Sequence, residues 1–310
     1  MRQPRQRSAM ALVIFAVCMV SYSGPMVKGA LNEGASPISV ALLRMLASAV
    51  LLFPFEIRQC VRRRIPFSAT PREWAWTLVS AVFLAGHYFT WITSLQGTST
   101  FASVALVCTQ PLFVALFSYL LFHERLPRKA MPGALLALLG ALTIALSGMV
   151  GQKNAADAAA ALTSNLLALA GAVLMAAHWL TGRHIRRTLA AEVYTPVLYL
   201  LTAGLLLLLL PMTGGLRMPL GALPYMAGLV IGSTLLGHAV FAFALSRVSA
   251  NVVSFALLGE PVGAMLFSML FFGEVPTLPV ALGGLLTLAG LALYLAFAGS
   301  ESNELSSACE

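Results

Sequence analysis

Residues 110–124 read QPLFVALFSYLLFHE, and residues 260–274 read EPVGAMLFSMLFFGE. When residues 110–146 are set against residues 260–296, 12 of the 37 positions are identical, and Pro111 matches Pro261. Leucine richness alone would give roughly three or four matches, and it does not explain the shared Pro, Phe, Ser, Glu and Gly residues. The chain therefore contains an internal repeat with an offset of 150 residues.

The composition around this repeat is that of a membrane protein. Hydrophobic residues make up 59% of the chain and charged residues 10%, whereas about 25% of the residues of a soluble domain are charged. A membrane-spanning helix needs about 20 apolar residues, and long continuous runs favour helices over barrel strands. The sequence predicts ten spans, near residues 9–27, 37–55, 73–95, 100–122, 131–150, 162–181, 194–211, 223–246, 249–272 and 278–298.

The distribution of Lys and Arg predicts the orientation of these spans, because cytoplasmic loops are enriched in both. With the N-terminus inside, 15 of the 19 basic residues lie in cytoplasmic segments, and only Lys28, Lys153 and Arg217 lie outside. Arg44 falls within a span. We therefore expect both termini on the cytoplasmic side of a cytoplasmic (inner) membrane. The basic residues form no face with interleaved aromatic residues, so no nucleic-acid partner is predicted.

The repeat contains five predicted helices, and this odd number means that the second copy must enter the membrane upside down. Inverted repeats of this kind recur in secondary transporters. We expect one membrane domain with five parts: a basic cytoplasmic tail at 1–8, the first five-helix repeat at 9–150, a linker at 151–161, the inverted second repeat at 162–298 and an acidic tail at 299–310.

The two halves also share a series of motifs. They are Ser94-Leu95, Pro111, Glu124, Gly133 and Gly140 in the first half, and Ala244-Leu245, Pro261, Glu274, Gly283 and Gly290 in the second. With the Arg of Ala41-Leu-Leu-Arg44-Met, this pattern resembles the EamA-type transporters of the drug/metabolite transporter superfamily over about residues 9–298. The chain departs from the family near Ser21-Tyr22, where the family often has a Trp.

The resemblance implies an all-α bundle of ten helices, arranged as two inverted halves around a central cavity. It also implies export or exchange of amino acids, metabolites, nucleotide-sugars or drugs. The motifs belong to the whole family and do not select a substrate.

Arg44 lies in the middle of a span, where an arginine costs about 2.5–3.5 kcal/mol and needs a partner or a wet cavity. Two interpretations remain open from the sequence. The guanidinium could bind an anionic group of the substrate, such as a carboxylate, or it could pair with protein groups in a purely structural role.

Pro111 and Pro261 each remove a backbone hydrogen bond near the middle of a helix, so both helices should kink there. Polar groups beside such kinks are common transporter sites. Glu260 precedes one Pro and could carry a proton or contact the substrate, or it could be a structural acid paired with Arg44 or a histidine. Its repeat mate Gln110 does not titrate, so any proton coupling would be asymmetric.

Two histidines and several aromatic residues complete the set of candidate cavity residues. His87 and His238 each follow a Gly at similar places in the two halves, and both could also be structural. The aromatic candidates are Tyr22, Tyr88, Trp91 and Trp179. Glu124 and Glu274 lie at helix ends, where we expect them to cap helices or brace loops. No metal-binding spacing, cofactor motif or phosphate-binding loop is recognised.

We therefore predict a secondary transporter or facilitator for a small organic metabolite. An amino acid or a similar amphiphile is the expected substrate, export is the expected direction, and alternating access is the expected mechanism, with protons as a candidate coupling ion. The alternatives are a non-transporting scaffold or receptor and a membrane-embedded enzyme, although no catalytic dyad is apparent. Monomer and homodimer both remain open.

Overall fold

The computed structural model describes residues 3–123, 128–147, 154–237 and 258–307. Within these ranges every regular element is helical. The α-helices are α1 Gln3–Ser21, α2 Ser23–Asn32, α3 Pro37–Arg63, α4 Pro71–Ser94, α5 Thr100–Val107, α6 Gln110–Phe122, α7 Met131–Ser147, α8 Ala155–Ile185, α9 Ala191–Leu209, α10 Leu223–Gly228, α11 Gly259–Phe272 and α12 Leu278–Ser307. A π-helical segment, Leu229–Gly237, continues α10.

Seven segments in the described part of the chain are long and apolar enough to cross a membrane. They are Leu12–Asn32, Pro37–Arg63, Pro71–Ser94, Thr100–Phe122, Ala155–Ile185, Ala191–Thr213 and Leu278–Phe297. Three shorter apolar helices accompany them: Met131–Ser147, Leu220–Thr234 and Gly259–Phe272. The prediction of an all-α, multi-pass membrane protein is confirmed for the described residues.

Local signals fix the ends of several helices. At the start of α4, the Thr70 side chain accepts a hydrogen bond from the Glu73 backbone, and the Glu73 carboxylate accepts one from the Thr70 backbone. Such a capping box satisfies two backbone donors that the first helical turn leaves free. Helices α6 and α11 end alike, because His123 and Gly273, which are 150 residues apart, both adopt the left-handed conformation.

Two of the spans are interrupted inside the bundle. Helices α1 and α2 meet at Tyr22, and helices α5 and α6 are separated by Cys108 and Thr109. Pro111 lacks the N–H that would bond to the carbonyl of Val107, and α5 ends at that residue. Breaks of this kind inside a membrane bundle are common places for a transporter to bind its substrate.

Helices α7 and α12 approach each other through glycines. A Cβ atom added at Gly290 would lie 2.7 Å from the carbonyl oxygen of Gly133, and one at Gly283 would lie 2.9 Å from that of Gly140. Small residues allow helix backbones to come this close in a membrane. The two contacts are equivalent under the repeat, because Gly283 is the repeat equivalent of Gly133 and Gly290 is that of Gly140.

The largest buried apolar cluster is formed by residues from α2, α3, α4 and α9, with contributions from α10 and the π-helical segment. A hydrogen-bonded group adds to it: the Ser80 hydroxyl of α4 contacts His178 Nδ1 of α8 at 2.9 Å and the Tyr194 hydroxyl of α9 at 2.8 Å. His178 is therefore a satisfied histidine that ties three helices together. Exposed leucines cover α6, α7 and α12, as expected for surfaces that face lipid.

Candidate functional site

Helix α4 supplies an aromatic face to the interior of the bundle. His87, Tyr88 and Trp91 are spaced so that their side chains lie close together on the helix surface, and their exposed fractions are only 3%, 8% and 7%. The His87 and Trp91 rings are stacked with centroids 5.9 Å apart, and the Tyr88 ring meets His87 edge-on at 5.0 Å. These three rings form one wall of the candidate site.

Arg44 of α3 reaches over this wall. Its guanidinium carbon lies 4.8 Å from the centroid of the Tyr88 ring and 5.9 Å from that of Trp91, distances that allow cation–π attraction. Arg44 Nη1 donates a hydrogen bond of 3.1 Å to the Ser23 hydroxyl of α2. The residue is 3% exposed, and it makes no ion pair with Glu260, although both residues lie within the described part of the chain.

Several polar atoms near the breaks and the aromatic wall are buried without a hydrogen-bond partner among the described residues. They include Arg44 Nε and Trp91 Nε1, which are donors, and Gln110 Oε1, which is an acceptor. A buried polar group without a partner costs about 1–3 kcal/mol. The guanidinium carbon of Arg44 lies 5.9 Å from the centroid of the Trp91 ring, so a bound anion near both residues could accept hydrogen bonds from the two donors.

Two interior helix starts carry the repeat mates Gln110 and Glu260. Gln110 is the first residue of α6, and Glu260 lies in the first turn of α11, directly before Pro261. A helix N-terminus carries roughly half a positive charge, so both starts favour negative groups. Glu260 occupies this favourable position on α11, whereas its mate on α6 is uncharged.

His87 has a positioning role in this arrangement. Its Nδ1 lies 2.9 Å from the carbonyl oxygen of Gly171 in α8. Because a carbonyl can only accept a hydrogen bond, Nδ1 must be the donor. The bond fixes the imidazole ring on which Trp91 stacks, so His87 holds the Trp91 indole in place beside Arg44.

Tyr22 belongs to a different aromatic group. At the α1–α2 break its ring meets the edges of Phe267 and Phe271 of α11, with centroids 5.6 and 5.9 Å apart, and it lies close to Gly228. Trp179 is 43% exposed, and the structure does not bring it to the aromatic wall. His238 lies outside the described residues.

The sequence analysis missed Ser23, the hydrogen-bond partner of Arg44. A signal was available: Pro25 has no N–H for the carbonyl of Ser21, which weakens the helix at this point and favours a break. The expectation for Glu274 is confirmed, since its carboxylate accepts a hydrogen bond from the backbone N–H of Thr100 at the start of α5. Glu124 lies outside the described residues.

The described residues contain no group of three or more His, Cys, Asp or Glu side chains that could hold a metal ion. The groups gathered at the site can recognise a ligand by charge, by hydrogen bonding and by aromatic surface. A carboxylate could take hydrogen bonds from Arg44 and Trp91, while an apolar or aromatic part of the same molecule could lie against the rings of α4.

Comparisons with known proteins agree with these observations. The EamA-like transporter family matches residues 7–146 and 162–296. The chain is 26% identical over 268 residues to an uncharacterized transporter of Bacillus subtilis, YdfC, covering 84% of this chain and 82% of that protein. It is 30% identical over 295 residues to the uncharacterized protein PA1977 of Pseudomonas aeruginosa, covering 94% and 95%. One crystal structure superposes with a TM-score of 0.61 at 19% identity, covering 93% and 97%.

Proposed function

The chain belongs to the EamA-like transporter family, and we propose that it is a secondary transporter or facilitator for a small organic carboxylate. An amino acid or a similar amphiphile is the proposed substrate, and export across the cytoplasmic (inner) membrane is the proposed direction. The proposal rests on the buried Arg44 guanidinium, which lies above the Tyr88 ring. Among the described residues it forms no salt bridge, and its Nε has no hydrogen-bond partner.

The proposed mechanism is alternating access between two inverted halves of five helices each, 9–150 and 162–298. The two segments that match the family, 7–146 and 162–296, support this division. The three short apolar helices bring the seven long spans to the proposed total of ten.

The interface between α7 and α12 also supports the inverted arrangement. When two halves are related by a two-fold axis, their contacts come in symmetric pairs. If a first-half residue contacts a second-half residue, the equivalents of these two residues in the opposite halves should also contact each other. The contacts of Gly133 with Gly290 and of Gly140 with Gly283 are related in this way by the offset of 150 residues. Matched chain reversals at His123 and Gly273 point to the same relation.

Orientation is proposed from charge. Arg64 lies in the connection between α3 and α4, and Arg186 and Arg187 follow the end of α8, whereas the connection between α9 and α10 carries only Arg217. Because connections rich in Lys and Arg are enriched in the cytoplasm, we propose that both termini lie on the cytoplasmic side.

A flux assay with matched pairs of compounds tests the proposal. Purified protein in proteoliposomes would be given labelled amino acids with aromatic or aliphatic side chains, and each acid would compete with unlabelled acid or with its primary amide. Acid and amide differ in the charge that Arg44 would recognise, while the apolar part stays the same. We expect flux of at least one acid and competition by the acid but not by the amide.

Two variants distinguish recognition of the carboxylate by the Arg44 charge from a structural role of Arg44. Arg44→Gln removes the charge, and a lost charge-assisted hydrogen bond of about 1.5–3 kcal/mol should weaken acid binding by about tenfold or more. Ser23→Ala removes one protein partner of the guanidinium but keeps its charge, so it should bind the acid better than Arg44→Gln. Equal competition by acid and amide would contradict the carboxylate proposal, and the absence of flux for every acid would contradict the proposed substrate class.

A further inference from the structure

Two charged side chains from other parts of the chain bind the connection between α4 and α5, residues 95–99, and the first residue of α5. Lys28 Nζ of α2 donates hydrogen bonds to the carbonyl oxygens of Leu95 at 2.6 Å and of Thr98 at 3.3 Å. The Glu274 carboxylate, from the connection between α11 and α12, accepts a hydrogen bond of 3.0 Å from the N–H of Thr100. We call Lys28 and Glu274 the two arms of the turn clamp.

Each arm lies at the helix end that its charge favours. Lys28 binds Leu95, which caps the C-terminus of α4, and the dipole of a helix attracts positive charge to its C-terminus. Glu274 binds Thr100, which begins α5, and the dipole attracts negative charge to a helix N-terminus. The bonds are charge-assisted, so they are stronger than bonds between neutral groups. The clamp is therefore a specific contact between separate elements and not a chance approach of surface side chains.

The clamp joins the elements that carry the candidate site. Helix α4 bears the aromatic wall, α2 bears Ser23, and Glu274 follows α11, whose first turn contains Glu260. This end of the bundle is also closely packed: a Cβ atom at Gly24 would lie 2.9 Å from a Thr100 methyl group, and one at Gly97 would collide with the Ser164 hydroxyl of α8. If these elements separated, the hydrogen bonds of both Lys28 and Glu274 would have to break.

The Glu274 arm stabilises the closed end only weakly. Glu274 Oε2 is buried and has no hydrogen-bond partner among the described residues, so only one of its two oxygens is satisfied. Burial of the other oxygen offsets part of what the bond to Thr100 contributes. Opening this end to water would hydrate that oxygen, and this gain would offset part of the lost bond.

We propose that the turn clamp holds this end of the bundle closed over the site, and that both arms release when the site opens to this side. The proposal rests on alternating access, because a clamp of this kind matters only if the end opens. It assigns Lys28 and Glu274 a role in setting the balance between the closed and open states, without contact with the substrate.

Cys108 offers a native reporter of opening. It caps α5 at the break in the middle of the bundle and is partly accessible, and the other thiols at Cys18, Cys60 and Cys309 can be replaced by Ala. A membrane-impermeant thiol reagent would be applied to right-side-out and to inside-out vesicles. The rate of labelling then measures access to Cys108 from each side separately.

We expect Lys28→Met and Glu274→Ala each to raise the labelling rate from the side on which residues 95–99 lie, and to lower it from the other side. The rise should be about tenfold for Lys28→Met, since losing a hydrogen bond from a charged group shifts a two-state equilibrium by about this factor or more. It should be smaller for Glu274→Ala, because hydration of Oε2 in the open state offsets part of the bond that this variant removes. Lys28→Arg keeps a cationic donor and should stay closer to the wild type. The double variant should raise the labelling rate more than either single variant does. Its factor should be smaller than the product of the two single factors, because both arms bind the same part of the chain.

The matched controls are Arg217→Met and Glu33→Gln. Both residues are exposed charges at the same end of the bundle, and the hydrogen bonds that the structure gives Arg217 are made by its backbone. These variants should leave the labelling rates unchanged. Elution as a single species and the melting temperature would establish that each variant is folded.

Three outcomes would overturn the clamp: unchanged labelling in folded Lys28→Met and Glu274→Ala, equal increases from both sides, or increases matched by the controls. If Lys28→Met does not fold, Glu274→Ala alone decides, because it removes one bond at a partly exposed site. The assay needs no transported molecule. A failed carboxylate screen together with one-sided labelling changes would reject the proposed substrate and leave the clamp standing.

Discussion

Replacing Gly290 with Ala should push α12 away from α7. The new Cβ atom would lie 2.7 Å from the carbonyl oxygen of Gly133 and 2.8 Å from the Cα atom of Ala137, and the neighbour in both cases is backbone that cannot rotate away. Relief therefore requires the helices to separate by roughly 0.5–1 Å, which already forfeits about a quarter to a half of the dispersion energy of the affected contacts.

The cost follows from these contacts. Overpacking of this kind costs about 1–3 kcal/mol, and the better helix propensity of Ala returns up to about 1 kcal/mol. We expect a net loss of about 1–2 kcal/mol in unfolding free energy. At about 2–4 °C for each kcal/mol, the apparent melting temperature should fall by about 2–8 °C.

Thermal unfolding of purified protein in detergent provides the assay, and Gly204→Ala provides the control. Gly204 also lies within a helix, but no other atom comes within 4 Å of its added Cβ. The control should therefore leave the melting temperature unchanged or raise it, since only the propensity gain remains. If Gly290→Ala and Gly204→Ala shifted the melting temperature equally, the close contact between α7 and α12 would be refuted.

Further predictions concern the candidate site. Trp91→Phe keeps an aromatic ring but removes the unpartnered Nε1–H, so it should weaken binding of a carboxylate ligand by about fivefold to tenfold in a thermal-shift titration. Trp179→Phe, at an exposed position, should leave the binding unchanged. Equal effects of the two variants would contradict a role of Trp91 in binding the carboxylate. Glu260→Gln should abolish any dependence of flux on an imposed pH gradient if Glu260 carries the proton, and a dependence that persists in this variant would exclude that role. His87→Ala should weaken carboxylate binding through the displaced Trp91 ring, and His87→Phe, which keeps a ring for stacking but loses the bond to Gly171, should recover part of the affinity; no difference between them would contradict the positioning role.

The membrane fold could be predicted from the sequence because its strongest signals are local. Apolar runs of span length follow from the absence of water in the bilayer, and a Pro without an N–H marks the break between α5 and α6. The break at Tyr22 was not predicted, because the apolar run continues through it and the Pro that weakens the helix lies three residues further on, at Pro25.

The site was predicted as separate residues but not as an arrangement. Arg44 and Tyr88 are 44 residues apart, and their contact depends on the rotation of α3 and α4 about their axes, which a hydrophobic pattern without a clear apolar stripe does not define. Trp179 shows the same limit. It follows the part-buried His178, but neighbouring residues on a helix point about 100° apart, and Trp179 is exposed.

Opposite insertion of the two halves underlies the proposed interior site and its mechanism, and the locations of two connections test it directly. Epitope tags or single cysteines would be placed after residue 125 and after residue 275, one at a time, and their accessibility would be measured in intact cells and in inverted vesicles. Opposite sides are predicted for the two positions, with the first in the cytoplasm. If both positions were found on the same side, the inverted arrangement and the shared interior site would be contradicted together.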